Sequence, residues 1–238
     1  MKPITLLPGW AMAADTMEPL REALQALLPE VRVAIEPLPA IQLSSLETDL
    51  SSLAQRIEPG VLVGWSLGGM LAVQLNRRFP EHFPAVATLA SNACFVERRD
   101  WPTAMTTDTF RSFYQGYRED PEKTLRRFAL LVSQGSTQAR HWIRHLQWDE
   151  LNDEQRLHGL AVLGMLDNRV ALRNPSQPML HCFGAQDALV PSVTANAMGE
   201  LHPASRVVTH YQASHVLPLE QPGWLAQQIV DWLEGTHE

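Results

Sequence analysis

The chain has 238 residues, 45% of them hydrophobic, and a formal net charge of −7 at pH 7. The acidic balance argues against a general nucleic-acid binder, and no segment approaches the roughly 20 apolar residues that a membrane span needs. The apolar stretch at the N-terminus is too short for a signal peptide, so we expect a cytoplasmic, monomeric protein with one domain that carries an insertion.

Short apolar runs typical of β-strands alternate with helical patterns along most of the chain. This alternation predicts an α/β protein with a mostly parallel sheet of about six strands and helices on both faces. Helices are predicted at 17–28, 69–78 and 222–234, with Gly235 just past the end of the last one. The predicted strands are 4–7, 31–35, 61–63, 85–90, 179–183 and 206–211.

The strand signals stop between residues 107 and 170, where the sequence has the pattern of several amphipathic helices. We therefore predict a core made of residues 1–106 and 171–238, with 107–170 inserted as a helical cap. The apolar faces of these helices are expected to pack downward onto the core. A cap in that position would also wall a substrate pocket.

The segment Gly64-Trp65-Ser66-Leu67-Gly68 stands between a predicted strand and a predicted helix. The pattern G-x-S-x-G at a strand-to-helix turn holds its serine in a strained conformation, and small neighbours avoid a clash. Ser66 is therefore the candidate nucleophile. The alternative is an ordinary Gly/Ser turn.

A serine hydroxyl needs an activating base and a third group that orients the base. Asp187 follows the predicted strand 179–183, and His215 follows the predicted strand 206–211. Parallel strands deliver such residues to one edge of the sheet. Asp167 and Asp231 fit the acid role less well, because the first precedes the late strands and the second lies on the terminal helix.

An oxyanion hole needs a second N–H donor from a loop after an early strand. Pro8-Gly9-Trp10 follows the first predicted strand, and Gly9 would let the backbone approach a substrate closely. The N–H groups of Trp10 and Leu67 are the predicted donors, with Trp10 as a merely buried aromatic the alternative. Cys94 and Cys182 lie in apolar segments and are assigned no chemistry, and no metal or organic cofactor is predicted.

With these residues placed, the chain resembles the α/β-hydrolase superfamily. More closely, it resembles the pimeloyl-acyl-carrier-protein methyl ester esterases of biotin synthesis, the BioH type. The likeness runs over most of the chain. Its markers are 64–69, the segment 90–95 with Trp101-Pro102, and 127–131 leading to 135–140.

This resemblance implies the α/β-hydrolase fold and a triad of Ser66, Asp187 and His215. It also implies an esterase that removes the methyl group from the far end of a pimeloyl chain held by acyl carrier protein. Part of the acyl pocket would come from five consecutive residues, namely Phe128, Ala129, Leu130, Leu131 and Val132.

Part of the predicted cap is basic, whereas the chain as a whole is acidic. Residues 111–148 contain seven Lys or Arg and three Asp or Glu. Lys123 and Arg127 are spaced to share a helix face, as are Arg140 and Arg144. We expect these four residues to dock the acidic carrier protein; the alternative is a solvated helix face.

Three other functions stay open at this stage. A broad carboxylesterase for short acyl esters would use the same triad. A lyase of the menaquinone-synthesis type would use it for elimination. A non-catalytic binding module is disfavoured, because such proteins typically lose a triad member and all three are present in this sequence.

Overall fold

The computed structural model describes residues 1–173, 175 and 179–235. Six strands form one sheet in the order β2-β1-β3-β4-β5-β6, and every neighbouring pair is parallel. This confirms the predicted α/β class and the strand number. The strands are β1 (Ile4–Leu7), β2 (Val33–Ile35), β3 (Val61–Trp65), β4 (Ala85–Leu89), β5 (Met179–Gly184) and β6 (Arg206–His210).

The register of the sheet brings the ends of the central strands together. Leu7 at the end of β1 pairs with Gly64 of β3, and Leu89 at the end of β4 pairs with Trp65. Because the strands are parallel, the loops that follow them emerge along one edge of the sheet. The strands β1, β3 and β4 are buried along their whole length, as expected for a sheet covered by helices.

The three helices whose bounds were predicted, 17–28, 69–78 and 222–234, begin and end within two residues of those positions. One detail is wrong, because Gly235 belongs to the terminal helix instead of lying past its end. The helices are α1 (Glu18–Leu27), α2 (Leu46–Arg56), α3 (Leu67–Arg78), α4 (Thr107–Glu119), α5 (Pro121–Ser133), α6 (Ala139–His145), α7 (Asp153–Met165), α8 (Arg169–Arg173), α9 (Val193–Leu201), α10 (Leu217–Glu220) and α11 (Pro222–Gly235). In the described part of the chain, none of them combines the length and hydrophobicity of a membrane-crossing helix.

The segment predicted as a cap is helical, and polar residues begin its helices. The Thr106 side chain accepts a hydrogen bond from the N–H of Thr109 at the start of α4, and the Asp120 side chain caps α5. Asn152 forms a capping box at the start of α7. Its division from the core at 107 and 170 remains a prediction, and residues 174, 176–178 and 236–238 of the predicted core lie outside the described residues.

Two buried histidines lie near each other, one in β5 and one just after α9. His181 in β5 is fully buried, and its Nδ1 lies 2.7 Å from the hydroxyl of Thr88. Its ring centroid is 6.1 Å from that of His202, and burial lowers the pKa of His181 from 6.5 to about 3. Burial also lowers the pKa of His202. Both rings therefore favour the neutral form in the folded protein.

We expect this pair to make the protein less stable in mild acid. Between pH 6.5 and 3, the unfolded chain protonates at His181 and the folded protein does not. The free energy of unfolding therefore falls as pH decreases, by up to about 1.4 kcal/mol per pH unit for one proton. The free energy of unfolding, measured by urea titration between pH 7 and pH 5, should change less with pH in His181→Gln than in the unmodified protein. Parallel curves would contradict this assignment.

Candidate active site

Ser66 lies at the sharp turn between β3 and α3. Its φ is 52°, in the left-handed region that non-glycine residues rarely adopt. Its N–H donates to the carbonyl oxygen of Leu89 over 2.9 Å. Its own carbonyl oxygen accepts from the N–H of Met70 at 3.1 Å and from the hydroxyl of Ser91 at 2.8 Å. These hydrogen bonds hold the backbone of Ser66 in its strained conformation.

Backbone strain also marks two neighbouring loops. Ala11 after β1 has a φ of 59°, and Ala90 after β4 has a φ of 46°. Within residues 1–173, 175 and 179–235, these two and Ser66 are the non-glycine residues with positive φ. All three follow parallel strands that end at one edge of the sheet. Since such strain concentrates at functional sites, this edge is the candidate active site.

The predicted acid and base meet at the same edge. Nδ1 of His215 donates to Oδ2 of Asp187 over 2.8 Å, and both side chains are 1% exposed. The other carboxylate oxygen accepts from the N–H groups of Leu189 and Val190, at 2.8 and 2.9 Å. Three donors therefore fix the carboxylate. With its proton on Nδ1, the imidazole keeps the lone pair of Nε2 free to accept another.

The predicted nucleophile is not hydrogen-bonded to the base. Among the described residues, His215 is hydrogen-bonded to Asp187, but the hydroxyl of Ser66 forms no hydrogen bond with His215. Such bonds are often long or poorly aligned until a substrate occupies the site. Ser66 is 7% exposed and His215 is 1% exposed, so both lie in a largely enclosed part of the molecule.

The two predicted oxyanion donors belong to segments next to Ser66, the start of α3 and the loop after β1. Leu67 is the first residue of α3, and the first N–H groups of a helix have no acceptor within it. Trp10 lies in the loop after β1, and a Cβ added at Gly9 would be 3.5 Å from the Cβ of Ser66. The indole N–H of Trp10 donates to the carbonyl oxygen of Arg156 in α7 over 2.8 Å. This bond ties the loop to the predicted cap.

A narrow apolar cavity lies between the loops and the helices α4, α5 and α7. Phe128 and Leu131, two of the predicted acyl-pocket residues, line it, whereas Ala129 and Val132 are buried on α5 and are not among its lining residues. Leu130 is 57% exposed, so the expectation that it lines the pocket is wrong. The physical reason is helical geometry, because a residue two positions after Phe128 lies on the far side of the helix.

Sequence reasoning did not assign most of the cavity wall. Leu160 and Leu163 are one helical turn apart on α7, and that spacing indicates a packed face without saying what lies opposite. The ring of Trp10 lines the cavity too, and it packs edge-on against Phe128 at 5.1 Å between centroids. The remaining wall residues are Phe95, Met105, Phe113 and Leu189.

The predicted docking residues are exposed on α5 and α6, which contact each other. None of them forms an ion pair with any part of the chain that the structure describes, whereas their neighbour Arg126 pairs with Glu122. Their charge is therefore available at the surface. These residues are Lys123, Arg127, Arg140 and Arg144.

The two cysteines are buried, free thiols. Burial raises the pKa of Cys94 to about 12 and raises that of Cys182 further. Both thiols therefore stay protonated at neutral pH, which agrees with a packing role. Over the described ranges, no group of three or more His, Cys, Asp or Glu side chains is arranged to hold a metal ion.

Comparisons with known proteins agree on the alpha/beta hydrolase family. A model of the alpha/beta hydrolase family matches residues 6–228. The pimeloyl-[acyl-carrier protein] methyl ester esterase of Aeromonas hydrophila is 32% identical over 97% of this chain and 93% of its own length. The biotin biosynthesis bifunctional protein BioHC of Cellvibrio japonicus is 35% identical over 97% of this chain. A bromoperoxidase from Bacillus anthracis superposes with a TM-score of 0.84 at 19% identity, over 98% of this chain and 92% of that one.

These relatives differ in length. The chain spans 47% of the BioHC protein of Cellvibrio japonicus and 35% and 42% of two other bifunctional relatives, so it spans less than half of their length. The bromoperoxidase, at its low sequence identity, bears on the fold alone.

The close approach of α3 to the β1 loop can be tested at Gly68. A methyl group there would overlap the carbonyl oxygens of Pro8 and Leu7. Gly68→Ala should therefore lower the free energy of unfolding by about 2 kcal/mol or more, measured by urea denaturation. Gly223→Ala is the matched control, because nothing lies within 4 Å of a Cβ at that position. Equal stability of the two variants would contradict the close approach.

Proposed function

The chain belongs to the alpha/beta hydrolase family, and on that premise we propose that it is a serine carboxylesterase acting on pimeloyl-acyl-carrier-protein methyl ester. The products are pimeloyl-acyl-carrier protein and methanol. The observation that carries the proposal is the buried hydrogen bond of 2.8 Å between His215 and Asp187, at the sheet edge where strained Ser66 also lies. Family membership confirms the superfamily named from the sequence motifs, and two relatives bear names from biotin synthesis.

In the proposed reaction, the hydroxyl oxygen of Ser66 attacks the carbonyl carbon of the methyl ester. Nε2 of His215 takes the serine proton and passes it to the departing methoxide, which leaves as methanol. A water molecule then gives a proton to His215 and attacks the acyl-serine. That proton returns to Ser66, and the free carboxylic acid leaves. Asp187 keeps the proton of the imidazole on Nδ1 throughout.

The negative charge of each tetrahedral intermediate falls on the former carbonyl oxygen. In our proposal, the N–H groups of Trp10 and Leu67 bind this oxygen. Removing one donor from such a site typically costs about 100-fold or more in rate. The apolar wall around Phe128 and Leu131 would contact the methylene chain of the substrate.

The carrier protein would dock on the predicted cap, residues 107–170. Support comes from the exposed side chains of Arg140 and Arg144 on α6, which form no ion pair with the described residues, within a segment that is basic in an acidic protein. Complementary charge speeds the association of two proteins and favours one orientation. Lys123 and Arg127 on α5 would extend the same basic surface.

Replacement of the nucleophile tests the reaction class. Ser66→Ala should abolish hydrolysis of p-nitrophenyl butyrate, since no hydroxyl remains to form the acyl-enzyme. Asp187→Asn should lower kcat by about 10⁴-fold, because the imidazole would lose its orienting acceptor. Release of p-nitrophenol measures both rates, and thermal melting checks that each variant is folded. Undiminished turnover by folded Ser66→Ala would refute the serine mechanism.

Charge reversal on α6 tests carrier docking. The double variant Arg140→Glu with Arg144→Glu should raise KM for pimeloyl-acyl-carrier-protein methyl ester at least about 10-fold, with p-nitrophenyl butyrate hydrolysis unchanged. The loss should shrink at high salt, which screens the attraction in the unmodified protein.

A matched control makes the same change in net charge at exposed positions on the core, through Arg32→Glu with Arg206→Glu. Its kinetics with the carrier-bound ester should equal those of the unmodified protein. If both double variants lose activity equally, or the α6 variant loses none, carrier docking at α6 is wrong. Rapid hydrolysis of small esters with no turnover of the carrier-bound ester would instead favour the broad carboxylesterase.

A further inference from the structure

Trp65, the residue before the candidate nucleophile, makes a contact that the serine motif does not require. Its side chain is 1% exposed, and its indole N–H donates to the backbone carbonyl oxygen of His215 over 2.8 Å. The ring centroids of Trp65 and His215 are 5.9 Å apart. One side chain therefore joins the loop of the nucleophile directly to the loop of the base.

The same indole also supports the third loop of the site. A Cβ added at Gly9 would be 3.5 Å from ring atoms of Trp65, so the loop that carries Trp10 passes close to this ring. Trp65 is thus placed where all three loops meet. A side chain in that position sets the distances between them.

A second contact holds the chain just before His215. Oε2 of Glu220 accepts hydrogen bonds from the N–H and the hydroxyl of Ser214, at 2.7 and 2.9 Å. Ser214 is fully buried, and Glu220 ends the short helix α10 that follows. Hydrogen bonds to a charged acceptor are about twice as strong as neutral ones. The backbone is therefore fixed at Ser214 by Glu220 and at His215 by Trp65.

We propose that Trp65 and Glu220 are positioning residues that hold His215 within reach of Ser66. Neither touches the reacting atoms. Asp187 fixes the imidazole only at Nδ1, so the distance from Nε2 to the hydroxyl of Ser66 depends on where the backbone of His215 lies. A misplacement of about 1 Å can cost about 100-fold in rate. This inference rests on the proposed serine mechanism, but not on the identity of the ester.

The first test removes the indole N–H while keeping an aromatic ring. Trp65→Phe should lower kcat for p-nitrophenyl butyrate about 10-fold and leave KM within two-fold. Labelling of Ser66 by a fluorophosphonate probe should slow by a similar factor, because it too needs the hydroxyl activated by His215. The probe reports on the base without any reference to the carrier.

Trp101→Phe is the matched control. The indole of Trp101 is also buried and also donates one hydrogen bond, to Oδ1 of Asn92 at 2.9 Å, instead of to Ser66, Asp187 or His215. The free energy of unfolding in urea should fall by a similar amount in both variants, but kcat should fall only in Trp65→Phe. Equal kcat in the two variants, or a loss confined to KM, would overturn the role of Trp65.

Glu220 provides a second test with variants that make no large cavity. Glu220→Gln keeps an oxygen that can accept both hydrogen bonds from Ser214, whereas Glu220→Ala removes the acceptor. We expect kcat and the labelling rate to fall about 10-fold in Glu220→Ala and to be largely restored in Glu220→Gln. Unchanged kcat in Glu220→Ala, or equal losses in both variants, would overturn the role of Glu220.

These outcomes separate the inference from the proposed function. If Ser66→Ala is inactive while Trp65→Phe and Glu220→Ala keep full kcat, the serine mechanism stands and the positioning role fails. If folded Ser66→Ala retains activity, and the fluorophosphonate probe labels no other serine in it, the mechanism itself fails. Activity on small esters alone leaves both tests of positioning valid, since they use no carrier protein.

Discussion

The close contact between α3 and the carboxyl ends of β1 and β3 is the constraint on which the site depends. It exists because Gly64 and Gly68 have no side chains, and a methyl group on either would overlap backbone atoms of the neighbouring segment. Packing at this distance forces the turn at Ser66 into its left-handed conformation, which a hydrogen bond from Ser91 supports. The strain at this residue is balanced by the packing of the whole sheet edge.

The helices of the predicted cap are attached to the loops of the site. The indole of Trp10 donates to the backbone of α7, so the loop after β1 and that helix are linked. Past the end of α5, Gly135 has a φ of 91° and lies against the carbonyl oxygen of Gln186, next to Asp187. A change in the position of α5 would therefore displace the loop that carries Asp187. The pocket wall and the candidate catalytic groups form one packed unit.

Charge is distributed differently inside the site and on its outer surface. The carboxylate of Asp187 is buried, and three donors compensate it, which is the condition for keeping an ionised group away from water. On the outer side, Arg140 and Arg144 are exposed and have no acidic partner among the described residues. Buried groups are thus fixed in position, while surface charges remain available to a partner protein.

The sequence by itself determined the α/β class, the six strands and the family. It also determined which serine, aspartate and histidine are the candidate catalytic residues. Both follow from strand and helix periodicity and from turn motifs, which depend on residues close together in the chain. Only the tertiary structure decided which side chains touch across the loops. It directed Leu130 outward while Phe128 faces the cavity, and it brought Trp65 to the carbonyl of His215, 150 residues away along the chain. Contacts of this kind arise from packing between distant segments, which no local pattern encodes.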